Sequence, residues 1–219
     1  MKSSTLKNRW ILLPVWCILV FIILYIVSAS LYPGGSDADK TAKGFSWQHN
    51  YWCELLAKEA QNGQPNTARP VAIVAMTIVA ISLAIFWYTI PPLFTNNRIV
   101  NRIITCTGTG SMLVMPLLLI TKSHDLVINS AAFLGCIAII GLLVNLLRLR
   151  LYFLFYLGIF CLLLCGLNNY VYYSNDFLMY LPVIQKISFI FFLLWFMLVS
   201  IKGYKKNETR KVNAIFPLQ

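Results

Sequence analysis

The chain has 219 residues, of which 59% are hydrophobic and 11% charged, and its formal net charge is +11. A soluble domain is about half apolar and about 25% charged, so composition excludes that class and places the chain in lipid. The surplus of Lys and Arg has a ready explanation in the cytoplasmic loops of membrane proteins, so no nucleic-acid partner is needed to account for it.

Six windows of about 19–23 apolar residues are each long enough to cross a hydrocarbon core of about 30 Å. They are Trp10–Leu31, Val71–Ile90, Ile103–Thr121, Leu126–Leu147, Leu151–Tyr172 and Met179–Ile201. Backbone groups in lipid must be satisfied within the segment, so each window is a helix. The expectation is an all-α polytopic membrane protein: one domain over 1–219, six helices in one bundle, and an amphipathic helix in the first loop.

Residues 1–9 form a short basic leader, followed by the first window. Ser28-Ala29-Ser30 offers the small residues of a cleavage site, but the apolar run Trp10–Val27 exceeds the core of about 7–15 residues typical of a signal peptide. An uncleaved anchor is the expected outcome. The loop 32–70 then holds one of the two histidines and four of the seven acids. Tyr32-Pro33-Gly34-Gly35 opens it as a turn, since Pro presets one dihedral and Gly accepts the positive one. Within it Ser46–Asn62 reads as a helix, capped by Ser46 and ended by Gly63 and Pro65, with Trp47, Tyr51, Trp52, Leu55 and Leu56 on one face. Such a helix would lie among lipid headgroups or lid the bundle.

In the second span Thr77, Ala80 and Ala84 offer a small-residue face for close helix approach, and Pro91-Pro92 ends it. The third contains Thr107-Gly108-Thr109-Gly110-Ser111 and Pro116. It lacks the Lys and the preceding strand of a phosphate loop, so close packing or a local kink is the expected role. Lys122, His124 and Asp125 make a short turn. The fourth span carries Ala131, Gly135 and Ala138, with Asn129 and Asn145 near its ends. Arg148 and Arg150 leave only a tight connection to the fifth span, so the two should be antiparallel neighbours. The fifth ends in Asn168-Asn169-Tyr170-Val171-Tyr172-Tyr173, an aromatic belt. The sixth contains Gln185 and Lys186, and a basic tail spans 202–219.

With the N-terminus inside, the inner segments hold twelve Lys and Arg residues, the outer loops hold five, and Lys186 makes up the total of 18. The outer segments also hold six of the seven acids. Both ends are therefore expected in the cytoplasm, in the inner (plasma) membrane, with loop 32–70 facing out.

Charge inside a span is costly and usually has a reason, which singles out Lys186. It lies about 10 Å below the end of its helix, at a rise of about 1.5 Å per residue. Either it snorkels to the surface or it meets a partner: Glu54, Asp125 or Asp176, with Gln185, Asn129, Asn168 and Asn169 adding hydrogen bonds. The second arrangement makes an outward-opening polar pocket lidded by the Trp47–Leu56 helix, with His49, Trp52 and Glu54 at its mouth. A cation at its base would favour an anionic guest or the headgroup of a membrane lipid.

His49 and Cys53 share one helix turn, and Asp37, Asp39, Glu54 and His124 add oxygen and nitrogen donors. No HExxH or CxxC accompanies them, so no metal or cofactor is expected. Ser46 beside His49 lacks a Gly-x-Ser-x-Gly elbow. A binding protein is thus the leading expectation, ahead of a small-solute transporter, an accessory subunit of a membrane complex, or an outer-face metal-dependent enzyme.

Tyr32-Pro33-Gly34-Gly35, Gly44-Phe45-Ser46, Asn50 and Asn62-Gly63-Gln64-Pro65-Asn66, ahead of five further spans, resemble the outer loop of an uncharacterised family of bacterial six-span membrane proteins. That family is itself distantly similar to Frag/Sfk-type membrane proteins linked to lipid handling. Cys53-Glu54-Leu55 stands where the family tends to show Ser-Asp-Leu. The resemblance implies a multi-span protein and no catalytic motif.

Overall fold

The computed structural model describes residues 9–114, 117, 124–174 and 177–215. Its regular structure there is helical: α1 Leu13–Ser30, α2 Arg69–Thr89, α3 Pro91–Phe94, α4 Arg98–Val114, α5 His124–Arg148, α6 Tyr152–Ser174 and α7 Leu181–Ile215. Among the described residues five helical stretches are long and apolar enough to cross a membrane, namely Trp10–Ser30, Arg69–Phe94, Asp125–Arg148, Tyr152–Ser174 and Leu178–Arg210. The chain is therefore an all-helical protein of the membrane-embedded kind. The third expected span, Ile103–Thr121, overlaps α4 over 103–114; α4 has 17 residues and is not among those five stretches. Pro116 and residues 118–121, which would complete that span, and Lys122 lie outside the described residues.

The chain divides into two compact units, 1–18 with 79–159 and 194–219, and 19–78 with 160–193. In the first, α4 packs along α5. Glycines set the close approaches there: a Cβ on Gly108 would enter the Trp87 ring, and one on Gly141 would sit 2.7 Å from Ile104 Cγ1. Small residues at such crossings let helices gain dispersion contacts where lipid supplies no hydrophobic drive. The segment Thr107–Ser111 thus serves close packing and stays helical. Trp87 and Phe196 pack edge to face with Phe86 at centroid distances of 5.0 and 4.8 Å. The α5–α6 connection is a tight reversal in which Arg150, at φ 56°, takes the left-handed conformation. There Arg150 N–H donates to Leu147 O and Leu151 N–H to Leu146 O, satisfying carbonyls that the end of α5 leaves open.

In the second unit the buried face of α2 is Ala72 and Ala75, both fully buried. Thr77, expected on the packing face, is exposed, and its hydroxyl donates to Ile73 O.

The larger departure concerns loop 32–70. No helix forms over Ser46–Asn62; the only helical element there is a single 3-10 turn, Trp52–Leu56. The rest is irregular but densely bonded, closed by two isolated bridges, Gly34 with Lys43 and Glu59 with Pro65. The Asn50 side chain explains the failure of the helix. Its Oδ1 accepts from Ser46 N–H at 2.7 Å, while Ser46 Oγ accepts from His49 N–H at 3.2 Å. Side chains that bond nearby backbone offer it an alternative to the helical ladder, and here the alternative wins. Gly34 and Gly35, at φ 139° and 81°, fold the chain back. A Cβ on either would collide with the backbone, at Ala42 O and Asn62 N respectively.

Candidate functional site

The site is built around two buried asparagines of the loop. Asn50, fully buried, donates from Nδ2 to Gly35 O at 2.7 Å and to Glu54 Oε2. Asn66 Nδ2 donates to three carbonyls, Glu54 O at 3.0 Å, Ala57 O at 3.0 Å and Leu55 O at 3.3 Å, and its Oδ1 accepts from Ala68 N–H at 3.1 Å. Irregular backbone satisfies itself only in part, and these amides supply further partners.

Helices then fasten the loop. From α1, Tyr25 OH donates to Trp52 O at 3.1 Å and Ser28 Oγ to Ala68 O at 2.9 Å. Tyr32 OH accepts from Gln61 N–H at 3.0 Å and donates to Glu54 Oε2 at 3.5 Å. From α7, Gln185 Oε1 accepts from Trp52 N–H at 3.3 Å. Lys186, only 7% exposed, donates from Nζ to Asn50 O and to Pro182 O at 3.0 Å. The same ammonium lies 5.6 Å from the centroid of the Phe45 ring. Lys186 therefore does not snorkel, and among the described residues it makes no direct ion pair; main-chain carbonyls and a ring face take its charge.

Glu54 is the acid nearest this arrangement, joined to Lys186 through Asn50, which bonds both. It is 8% exposed, and its second oxygen, Oε1, is shut from solvent without a hydrogen-bond partner. Burial pushes the carboxyl above its ordinary range, against hydrogen bonding from the Asn50 side chain, the Tyr51 backbone and the Gln61 side chain, which lowers it. Burial likewise raises the phenol of Tyr32. Trp52 Nε1–H is a second buried group with no partner. Its ring packs edge to face with Tyr25 at 5.2 Å and with Phe189 at 5.3 Å.

The structure thus brings Lys186, Gln185, Trp52 and Glu54 together. Trp47 is 51% exposed and rests on Phe45 at 5.3 Å rather than on a helical lid. His49 Nδ1 meets Ser46 Oγ at 3.2 Å inside a turn. Asn168 bonds Ser188 Oγ and Leu164 O, while Asn169 donates to Cys165 O of its own helix at 3.1 Å. Asn129 and Asp125 belong to the other unit, on α5. Asp176 lies outside the described residues. Asn50, Asn66 and Tyr32 belong to the site; the sequence marks them as parts of the loop pattern and gives them no binding or structural role beyond the turn that Tyr32 opens. Among the described residues no three His, Cys, Asp or Glu side chains gather as a metal site, and no disulfide joins any of the six cysteines.

Comparison with protein-family models, with curated proteins and with solved structures returned no match in any of the three.

Proposed function

We propose that the protein is a non-enzymatic membrane protein that binds an amphiphile, with loop 32–70 holding the polar end. In this reading the chain crosses the inner (plasma) membrane six times, the third time through α4 and the residues after it. Both termini are cytoplasmic and the loop lies on the opposite face. The observation that carries the reading is Glu54 Oε1, a buried carboxyl oxygen without a partner, fixed in a loop bolted to the ends of apolar helices. An acceptor left unpaired away from water costs about 1–3 kcal/mol, so a donor-bearing guest would be rewarded there.

The polarity of the guest follows from the bonding. Lys186 already serves Asn50 O and Pro182 O, so Glu54, not Lys186, meets the ligand. A lipid with N–H or O–H donors in its headgroup, such as an ethanolamine lipid, suits that oxygen better than an anion does. The test is native mass spectrometry of the purified chain from nanodiscs of phosphatidylethanolamine, phosphatidylcholine or phosphatidylglycerol. Wild type should retain the ethanolamine lipid preferentially, and Glu54→Gln should lose most of that preference while still folding. Equal retention of all three lipids, or an unchanged preference in Glu54→Gln, refutes the reading.

A further inference from the structure

A second set of unsatisfied polar atoms lies in the other unit, on α4. Asn101 Oδ1, Thr105 Oγ1 and Thr109 Oγ1 are all shut from solvent and without hydrogen-bond partners. Their spacing of four residues places them in one row, about 6 Å apart and about 12 Å from end to end. Hydroxyls on apolar helices ordinarily return to the carbonyl one turn back. Thr77, Thr89 and Thr107 all do so here, at 2.8 Å, as Thr209 does at 3.1 Å. Thr105 and Thr109 do not, although Thr107 between them does.

Trp87 packs on the same helix beside the row. It is 1% exposed, its ring lies directly on Gly108, and Gly108 sits between Thr105 and Thr109 on the same helix. Its Nε1–H has no partner either. The four groups thus comprise one obligate acceptor (Asn101 Oδ1), one obligate donor (the indole N–H) and two hydroxyls that can do both. An ion would suit one end of such a set and oppose the other. A neutral group that donates and accepts at each atom suits all of it, and hydroxyls do that.

We infer that Asn101, Thr105 and Thr109, with the indole of Trp87, form a second site that takes an uncharged polyhydroxyl group, borne by a lipid or free in solution. The site rests on observations separate from those at Glu54.

The experiment follows melting of the purified full chain in detergent with 1-monooleoylglycerol or with glycerol, for wild type and for Thr105→Val/Thr109→Val. The double variant is close to isosteric and removes two unpartnered hydroxyls, so without additive it should melt no lower than wild type. A rise with monooleoylglycerol in wild type, with about tenfold weaker binding in the variant, supports the site and assigns a lipid source. A rise with glycerol confined to wild type supports it and assigns a free polyol, because an osmolyte effect would raise both proteins alike. No rise in wild type, or equal rises in the two proteins, overturns the site. An additive-free variant melting well below wild type also overturns it, since the hydroxyls would then already have partners.

Discussion

Asn66 in the first loop and Asn101 on α4 are the same residue type put to opposite uses. Asn66 makes four side-chain hydrogen-bond contacts, three from the two hydrogens of its amide nitrogen to carbonyls and one to its oxygen, and every partner is loop backbone, of which only Glu54 O is also served by the 3-10 turn. Asn101 stands in a helix whose backbone serves itself, and its oxygen is left without a partner. The difference teaches how to read buried polarity in an apolar chain. Where the backbone is irregular, a polar side chain is architecture. Where the backbone is a helix, an unpartnered polar side chain is open to a ligand.

Substitutions can break or sharpen that contrast. The largest effect is expected at Asn66: Asn66→Ala takes their side-chain partner from Leu55 O, Ala57 O and the Ala68 N–H, while Glu54 O keeps the Ala57 N–H, and should cost about 2–4 kcal/mol, read as a large drop in melting temperature in detergent. Lys186→Met should follow at about 1–3 kcal/mol, because Asn50 O loses its ammonium partner while the stem's apolar packing is largely kept.

Glu54 gives a smaller effect with a definite sign. Its carboxyl sits above the ordinary value of 4.5 in the folded protein, so the folded state holds the proton more tightly than the unfolded state does. Its contribution is fully present below pH 4.5 and is lost as pH rises through the raised folded value. Asp37, Tyr32, Tyr51, Cys53 and Lys186 are titratable groups that interact with it. Subtracting the stability profile of Glu54→Gln from that of wild type should therefore leave a curve falling from pH 4.5 upward. Its depth measures how much more tightly the folded state holds the proton, at about 1.4 kcal/mol for each tenfold difference. A difference curve that rises with pH would contradict the burial of Glu54. The smallest effect, near zero without ligand, belongs to Thr105→Val/Thr109→Val; a large loss there would erase the distinction between the two regions.

The helices are legible in the sequence because an apolar run long enough for lipid leaves the backbone no other choice. Val71–Ile90 against the observed Arg69–Thr89, and Leu151–Tyr172 against Tyr152–Ser174, differ only at their ends. The last helix is legible at its start but not at its end. It continues to Ile215 through Lys202, Lys205 and Lys206, strong helix formers that carry it past the apolar stretch. The loop misleads because its aromatic spacing imitates a helical face. Trp47, Tyr51, Trp52 and Leu55 have separate duties, and the contacts that decide them come from far along the chain: Gln185 is 133 residues from Trp52, and Lys186 is 136 from Asn50. Lys186 itself is legible as a residue needing either a path to the surface or a partner, since charge in an apolar helix demands one or the other. That the partner is a carbonyl of an irregular loop is not, because nothing local to either residue encodes it.

The central claim is that loop 32–70 is a folded structure held by buried polar bonds, with Lys186 as one of its fastenings. Amide hydrogen exchange of the purified chain tests this most directly, at Gly35, Asn50, Ala60 and Asn62, whose N–H groups donate to Ala42 O, Ser46 O, Gln64 O and Gly34 O. The account predicts strong protection at these amides in wild type and a loss confined to the loop in Lys186→Met, with the helices unchanged. Exchange at the rate of an unstructured chain in wild type, or protection indifferent to Lys186→Met, would contradict it.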